Sequence, residues 1–386
     1  MTVFDLVLYL IFALAQWRIS RLWLARAGRW PGWRPRAARW AVHAFNALLL
    51  AGCACTFSDH IARLGFDGPV ATLLGGAALL YCLVATATLA IRETVHWADR
   101  RLGGETDSGR RSLLQTAGAS LMAAPFAAAG YGMFVERLNL RVRELDVPLA
   151  GLPPDLAGLR ILQLSDIHLS AFLSEAELTR VVDAACELRS HLTVITGDLI
   201  SVSGDPLDAC IRQLARLKAD AGVFGCMGNH ERYARAEDYT QAAAARVGID
   251  FLRGQARQLR FGQALVNLAG VDHQSLAGRQ HYLRGAERLV APGALNLLLS
   301  HNPDVFPVAA RQGYNFVIAG HTHGGQVTVE ILDQSINAAR FFTPYVYGLY
   351  RHGRAAAYVT RGIGTIGVPA RFGAPPEITL LRLQKA

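Results

Sequence analysis

A chain of 386 residues has room for two folding units, because one domain takes about 100 to 200 residues. A mean hydropathy of +0.22 with 52% hydrophobic residues excludes a wholly soluble enzyme and puts part of the chain in lipid. The net charge of +9 would suit nucleic acid, but only Lys218 and Lys385 are lysines and many of the arginines crowd into two short stretches between apolar segments. That is a pattern of membrane topology, and no nucleic-acid partner is expected.

In chain order, residues 1–135 read as a membrane region with about four transmembrane helices, at 3–17, 41–57, 70–91 and 113–135. Val70 to Ile91 and Leu113 to Val135 carry no charged side chain over a length that crosses a hydrocarbon core of about 30 Å. Ala41 to Phe57 contains His43 and Asn46, and Val3 to Trp17 contains Asp5. Seven arginines between Arg18 and Arg39 and five between Arg92 and Arg111, against Arg63 alone in the loop after Phe57, put both basic loops in the cytoplasm. The chain is then expected to be a multi-pass protein of the plasma (inner) membrane, with everything after Val135 on the extracytoplasmic side. All six tryptophans lie in this half, as interfacial anchors do. The run Arg110-Arg111-Ser112-Leu113-Leu114-Gln115 resembles a twin-arginine export signal. As two arginines capping a cytoplasmic helix end it would give the same orientation. His43, His96 and Asp5 form no repeated motif, which argues against transport.

Residues 136–158, with Pro148, Pro153 and Pro154, read as a linker. From Leu159 onward short apolar runs alternate with amphipathic stretches, the pattern of an α/β domain over 159–386. Strands are expected at 160–164, 192–196, 223–227, 265–270, 296–300 and 316–319, and helices at 174–188, 206–217, 236–247 and 303–312. Each strong polar motif begins where an apolar run stops, and ligand sites in such folds gather beyond the carboxyl ends of strands. The motifs are Ser165-Asp166-Ile167-His168, Gly197-Asp198, Gly228-Asn229-His230-Glu231, Ser300-His301-Asn302 and Gly320-His321-Thr322-His323. Together they supply oxygen and imidazole ligands suited to Mn, Fe, Zn or a similar divalent ion, with no thiolate. Cys53, Cys55, Cys82, Cys186, Cys210 and Cys226 have no metal or disulfide spacing and read as packing residues.

The order DxH, GD, GNH(E/D), H, GHTH over about Leu159 to Gln326 resembles the calcineurin-like metallophosphoesterases. That resemblance implies a two-sheet β-sandwich flanked by helices, here preceded by the helical membrane region. Arg361-Gly362-Ile363-Gly364-Thr365 and Arg371-Phe372-Gly373-Ala374-Pro375-Pro376-Glu377 further resemble the membrane-tethered bacterial branch that includes the UDP-2,3-diacylglucosamine hydrolase-like enzymes, which act on a lipid A precursor. Carried over, the resemblance assigns Asp166, His168 and His323 to one metal ion, Asn229, His301 and His321 to a second, and Asp198 to the bridge. A metal-bridging hydroxide would then attack phosphorus. His230 becomes the catalytic residue beside the metals, steadying phosphoryl oxygens or protonating the leaving group. The chain departs from the pattern at Ser201, where many relatives carry an acid.

Glu231 is read as the hydrogen-bonding partner of His230. Arg232, Tyr233, Arg361 and Arg371 are candidate phosphate donors or structural residues. His191, His273, His281 and His352 match no motif and are left out of the site. The expected function is a membrane-anchored, dinuclear metal-dependent phosphoesterase cleaving phosphodiester or pyrophosphate bonds of a lipid or cell-envelope precursor. The rival reading is a metal-binding sensor with a vestigial site, against which stands the presence of all seven ligands.

Overall fold

Apolar runs too long for a globular helix dominate the first third of the chain, and in the computed structural model they form long helices. Residues 3–57, 68–102, 123–331 and 334–386 are described. Residues 1–135 with 367–370 form one unit, and 136–366 with 371–386 form the other.

In the first unit, helices span Val3–Ala27, Arg34–Phe57 and Pro69–Leu102, and residues 123–134 are helical. Three of these are long and apolar enough to cross a membrane, over Leu6–Ala27, Arg34–Cys55 and Pro69–Arg101. The expected span at 113–135 falls partly on residues outside those described, and the run from Arg110 to Gln115 lies wholly outside them. The first helix continues ten residues past Trp17, so Arg18, Arg21 and Arg26 are helical rather than in a loop. Long arginine stems can lie along an apolar helix while their heads reach the interface, which lets Ile19, Leu22, Trp23 and Leu24 extend the apolar surface. Arg21 lies over the Trp17 ring and Arg101 over Trp97. Between the helices Gln16 donates to Asn46 at 2.7 Å, Asn46 to Ser20 at 3.1 Å and Tyr81 to Gln16 at 3.2 Å. Such pairs satisfy polar groups that lipid cannot.

The second unit is built from strands β1 (Arg141–Leu149), β2 (Arg160–Leu164), β3 (Leu192–Thr196), β4 (Val223–Cys226), β5 (Ile249–Phe251), β6 (Gln255–Phe261), β7 (Ala264–Gly270), β8 (Leu295–Leu299), β9 (Phe316–Ala319), β10 (Thr328–Ile331), β11 (Gln334–Asn337), β12 (Gly348–His352), β13 (Ala355–Val359) and β14 (Glu377–Lys385). One six-stranded sheet has the order β1-β14-β2-β3-β4-β5 and another β12-β13-β9-β8-β7-β6, while β10 and β11 pair as a separate hairpin. Within 136–158, expected as a linker, Arg141–Leu149 pairs in parallel with β14 at the sheet edge. Pro148 is tolerated there because an edge strand has one unpaired side.

The apolar runs are continuous because their strands are covered on both faces. Along β2, Ile161 points into the core between the sheets with Val194, Leu297, Phe316 and Leu381. Its neighbours Leu162 and Leu164 point the other way, against Val181, Val182 and Leu214 of the helices Glu175–Glu187 and Leu207–Leu214. The helix Phe306–Gln312 covers the second sheet through Phe306 and Ala309. Ser174 caps the helix that follows it, with Glu177 reaching back to close a capping box. β2, β3 and β4 run parallel, as do β7, β8 and β9, so the carboxyl ends within each run share one edge.

Candidate metal centre

At those carboxyl ends the chain turns sharply, and the turns carry the site. Asp166, His168, Asp198, His321 and His323 all have positive φ, between 48° and 75°, a region that costs a non-glycine residue about 1–3 kcal/mol. Backbone bonds hold them there: Asp166 N–H donates to Gly197 O, His168 N–H to Asp198 O, and Gly364 N–H to Asp166 O. Gly320 is required because a Cβ would strike the Ser165 hydroxyl and the Asp166 carboxylate. Gly228 likewise lies against Asp198.

Six of the seven expected ligands converge in two adjoining groups. Asp166, His168 and His323 form one, and Asp198, His301 and His321 the other; within each, one ligand atom per residue lies within 4.8 Å of the rest. In the first, His168 Nε2 is 3.2 Å from His323 Nε2, which is 3.4 Å from Asp166 Oδ1. In the second, His301 Nε2 is 3.2 Å from His321 Nδ1 and 3.0 Å from Asp198 Oδ2. The same Asp198 Oδ2 lies 3.5 Å from His168 Nε2, so this carboxylate stands between the groups. Ligand atoms that each sit about 2.1 Å from one ion are about 3 to 3.5 Å apart, so these separations suit a metal. The seventh expected ligand, Asn229, has its Oδ1 buried with no hydrogen-bond partner, the state of an acceptor reserved for a cation.

For three of the imidazoles the electrostatics agree with that use. Burial, outweighing the pull of Asp198, holds His168 and His321 at about 3 and His323 well below its ordinary value, so all three stay neutral with a free lone pair. Burial raises Asp166 to about 6 despite the His301 charge. His301 goes the other way: burial alone would lower it, but Asp198 and Asp166 raise it to about 10. Burial would raise Asp198 too, yet the charge and hydrogen bond of His301 hold it well below the usual carboxylate range. His301 Nδ1–H donates to Thr196 O at 2.6 Å, which turns Nε2 toward Asp198.

His230 sits beside His168, with ring centroids 4.7 Å apart, and its Nδ1–H donates to Ser201 O at 2.5 Å. With His168 and Asp198 it forms a third group of possible ligands. His230→Ala is expected to cut turnover by roughly 10² to 10⁴ while metal content stays at the parent value. Metal analysis of the purified variant decides it, and loss of one equivalent would make His230 a ligand.

Among the neighbours, Glu231 differs from the sequence reading. Glu231 does not touch His230; it is fully buried and its carboxylate accepts from the backbone N–H groups of Asp198, Leu199 and Gly228. Ser201, where an acid was the familiar pattern, bonds His168 Nδ1 through its hydroxyl at 3.1 Å while its carbonyl holds His230. Arg371 is fully buried and donates to the carbonyls of Gly364, Ala374, Arg361 and His323, which is the structural one of the two roles open to it. Arg361 lies over the Tyr347 ring, and Arg232 and Tyr233 are exposed beside His230. His273, which no motif selects, places its ring 5.8 Å from His321 and 6.1 Å from His301, with Nδ1 buried and unpartnered. Its one signal in the sequence is its position just past β7, as the ligands follow their own strands. His191 accepts from Arg160 N and lies apart from the site. Every cysteine is free, and none joins the candidate metal groups among the described residues.

Carboxylates and imidazoles gathered at the strand ends of a two-sheet sandwich form a candidate metal centre. Residues 159–325 match the model of the calcineurin-like phosphoesterase family, and the chain is a hydrolase acting on phosphoric esters. It is 28% identical over 333 residues to the Bos taurus "Transmembrane protein with metallophosphoesterase domain", covering 82% of this chain and 73% of that one. It is 28% identical over 282 residues to "Uncharacterized metallophosphoesterase YkuE" of Bacillus subtilis, covering 71% and 97%. With Escherichia coli "Phosphodiesterase YaeI" the identity is 28% over 244 residues, covering 61% and 86%. The apolar helices and the first of these relatives support membrane association.

Proposed function

We propose that the protein is a dinuclear phosphoesterase, held in the plasma membrane by several helices, that hydrolyses phosphodiester or pyrophosphate bonds of a lipid or cell-envelope precursor outside the cytoplasm. The observation that carries the dinuclear reading is Asp198 Oδ2, placed between His168 Nε2 and His301 Nε2. Asp166, His168 and His323 would hold one divalent cation, Asn229, His301 and His321 the other, with Asp198 shared. Such a pair, Mn, Fe, Zn or similar, acts as a Lewis acid toward phosphoryl oxygens and lowers the pKa of water. The chain's own contribution is placement and protons. His301 is oriented by Thr196 O, His168 by Ser201 Oγ, and His230 by Ser201 O, leaving its Nε2 to meet the phosphoryl or leaving-group oxygen. The resemblance to the lipid A precursor hydrolases and the membrane helices favour a lipid substrate, and the arginine bias favours an extracytoplasmic site.

The purified full chain, stripped with chelator and reloaded, should hydrolyse bis(p-nitrophenyl) phosphate only with metal present, at two equivalents per chain, and should prefer a lipid pyrophosphate or phosphodiester over soluble esters. One equivalent at full activity would end the dinuclear reading, and equal rates on all esters would end the lipid one. A reporter active only outside the cytoplasm should work when fused after Ala386 and be silent when fused near Gly104; the reverse pattern would place the site in the cytoplasm.

A further inference from the structure

The segment after β9 carries His321 and His323 and then leaves both sheets, and it is tied back to the metal centre at two points. Asn337 packs against Gly325, two residues past His323. Thr322, between the two histidines, donates through its hydroxyl to Val346 O at 2.5 Å. Between these ties the chain is braced: Asn337 Oδ1 accepts from Arg340 N–H, and the Thr343 hydroxyl donates to Asp304. This fastened loop holds Phe341 87% exposed and Phe342 73% exposed.

Adjacent aromatic rings fixed in water have no folding role to repay them, and a contiguous exposed apolar surface marks an interface. They have company. Val202 follows Ser201, Tyr233 follows His230 by three residues, Leu276 follows His273 by three, and Val327 follows the His323 turn, all exposed. In the described residues of the catalytic unit these six outnumber the four large hydrophobics exposed elsewhere. The same loops bring the exposed arginines Arg232, Arg279 and Arg340. Aromatic and aliphatic side chains interleaved with arginines suit the headgroup layer of a bilayer with anionic lipids. The tether supplies the occupant, since membrane-crossing candidates precede this domain in the same chain.

We infer that the loop Ala338–Val346, led by Phe341 and Phe342 and joined by the apolar residues of the neighbouring site loops, docks on an anionic bilayer surface and presents the metal centre to phosphoesters at that surface. The inference rests on membrane association and holds whether the substrate proves to be a lipid or a soluble ester.

The test uses the full chain in nanodiscs of phosphatidylcholine and phosphatidylglycerol, with p-benzoylphenylalanine placed at Phe341, at Phe342 or, as a control, at Tyr239 on the helix Glu237–Ala245. Irradiation should attach labelled lipid at 341 and 342 roughly tenfold more than at 239, and removing phosphatidylglycerol should lower the yield several-fold. Equal labelling at all three positions, or adducts to protein in place of lipid, would overturn the docking surface. Labelling indifferent to phosphatidylglycerol would overturn the anionic preference. Metal-dependent hydrolysis of bis(p-nitrophenyl) phosphate by each labelled chain verifies an intact site, so failure to dock is separable from failure of the enzymatic reading.

Discussion

Asp198→Asn is expected to remove metal-dependent hydrolysis by at least roughly a thousandfold, about 4 kcal/mol of transition-state stabilisation, together with metal content. The substitution is well suited to the question because it spares the fold. Asp198 Oδ1 accepts from His230 N–H at 2.9 Å, a bond that an amide oxygen can keep. What changes is Oδ2, which becomes an amide nitrogen whose protons face His301 Nε2 and His168 Nε2 where a shared anionic ligand stood. A donor in that place cannot bind a cation, and the loss falls on both groups of imidazoles at once. Metal analysis alongside bis(p-nitrophenyl) phosphate turnover reads the result. Parent-level metal and turnover in this variant would refute the shared-carboxylate assignment. His301→Ala, which touches one group only, should spare part of the metal, and that contrast is what a bridging position predicts.

How much of this was legible beforehand varied with the kind of signal. Buried parallel strands show themselves as unbroken apolar runs, so β2, β3 and β9 stand where the runs predict them, at Arg160–Leu164, Leu192–Thr196 and Phe316–Ala319. Strands with an exposed face were invisible to that signal: β6 reads Gln-Ala-Arg-Gln-Leu-Arg-Phe, and β1 carries Pro148 within the stretch expected as a linker. The candidate ligand motifs were visible because metal chemistry restricts residue type, and six of the seven residues fall in the groups that could hold a metal ion. The supporting layer is where sequence reasoning fails, since its contacts are long-range and chemically permissive. Nothing in the sequence tells that a serine hydroxyl at Ser201 orients His168, or that Arg371 spends its donors on four backbone carbonyls. His273 has the right position and no motif.

Glu231 is the instructive error of that kind, and its removal should be the most destabilising single change near the site. Its place beside His230 in the chain suggested a carboxylate–histidine pair, but the short helix Asn229–Tyr233 turns the two side chains apart. Glu231 Oε2 accepts from Asp198 N–H at 2.9 Å and Gly228 N–H at 2.8 Å, and Oε1 from Leu199 N–H at 2.6 Å. It therefore pins the turn after β3 to the turn after β4, the two turns that carry Asp198 and Asn229. Burial, then the nearby Asp198 charge, pushes its carboxyl above the usual range, and the three N–H donors are what hold the ionised form. Glu231→Ala leaves three buried donors without acceptors at about 1–3 kcal/mol each, or about 3–6 kcal/mol in total allowing for partial relaxation. That is a large share of the roughly 5–15 kcal/mol that holds a domain together. Glu231→Gln keeps one acceptor oxygen and should lose about 1–3 kcal/mol, folding well enough to be assayed. Chemical denaturation of the full chain with and without metal measures both variants, and the destabilisation should appear in the metal-stripped protein too. A carboxylate that only oriented His230 would behave otherwise: Glu231→Ala would unfold within about 1 kcal/mol of the parent and reproduce the turnover defect of His230→Ala with metal fully retained.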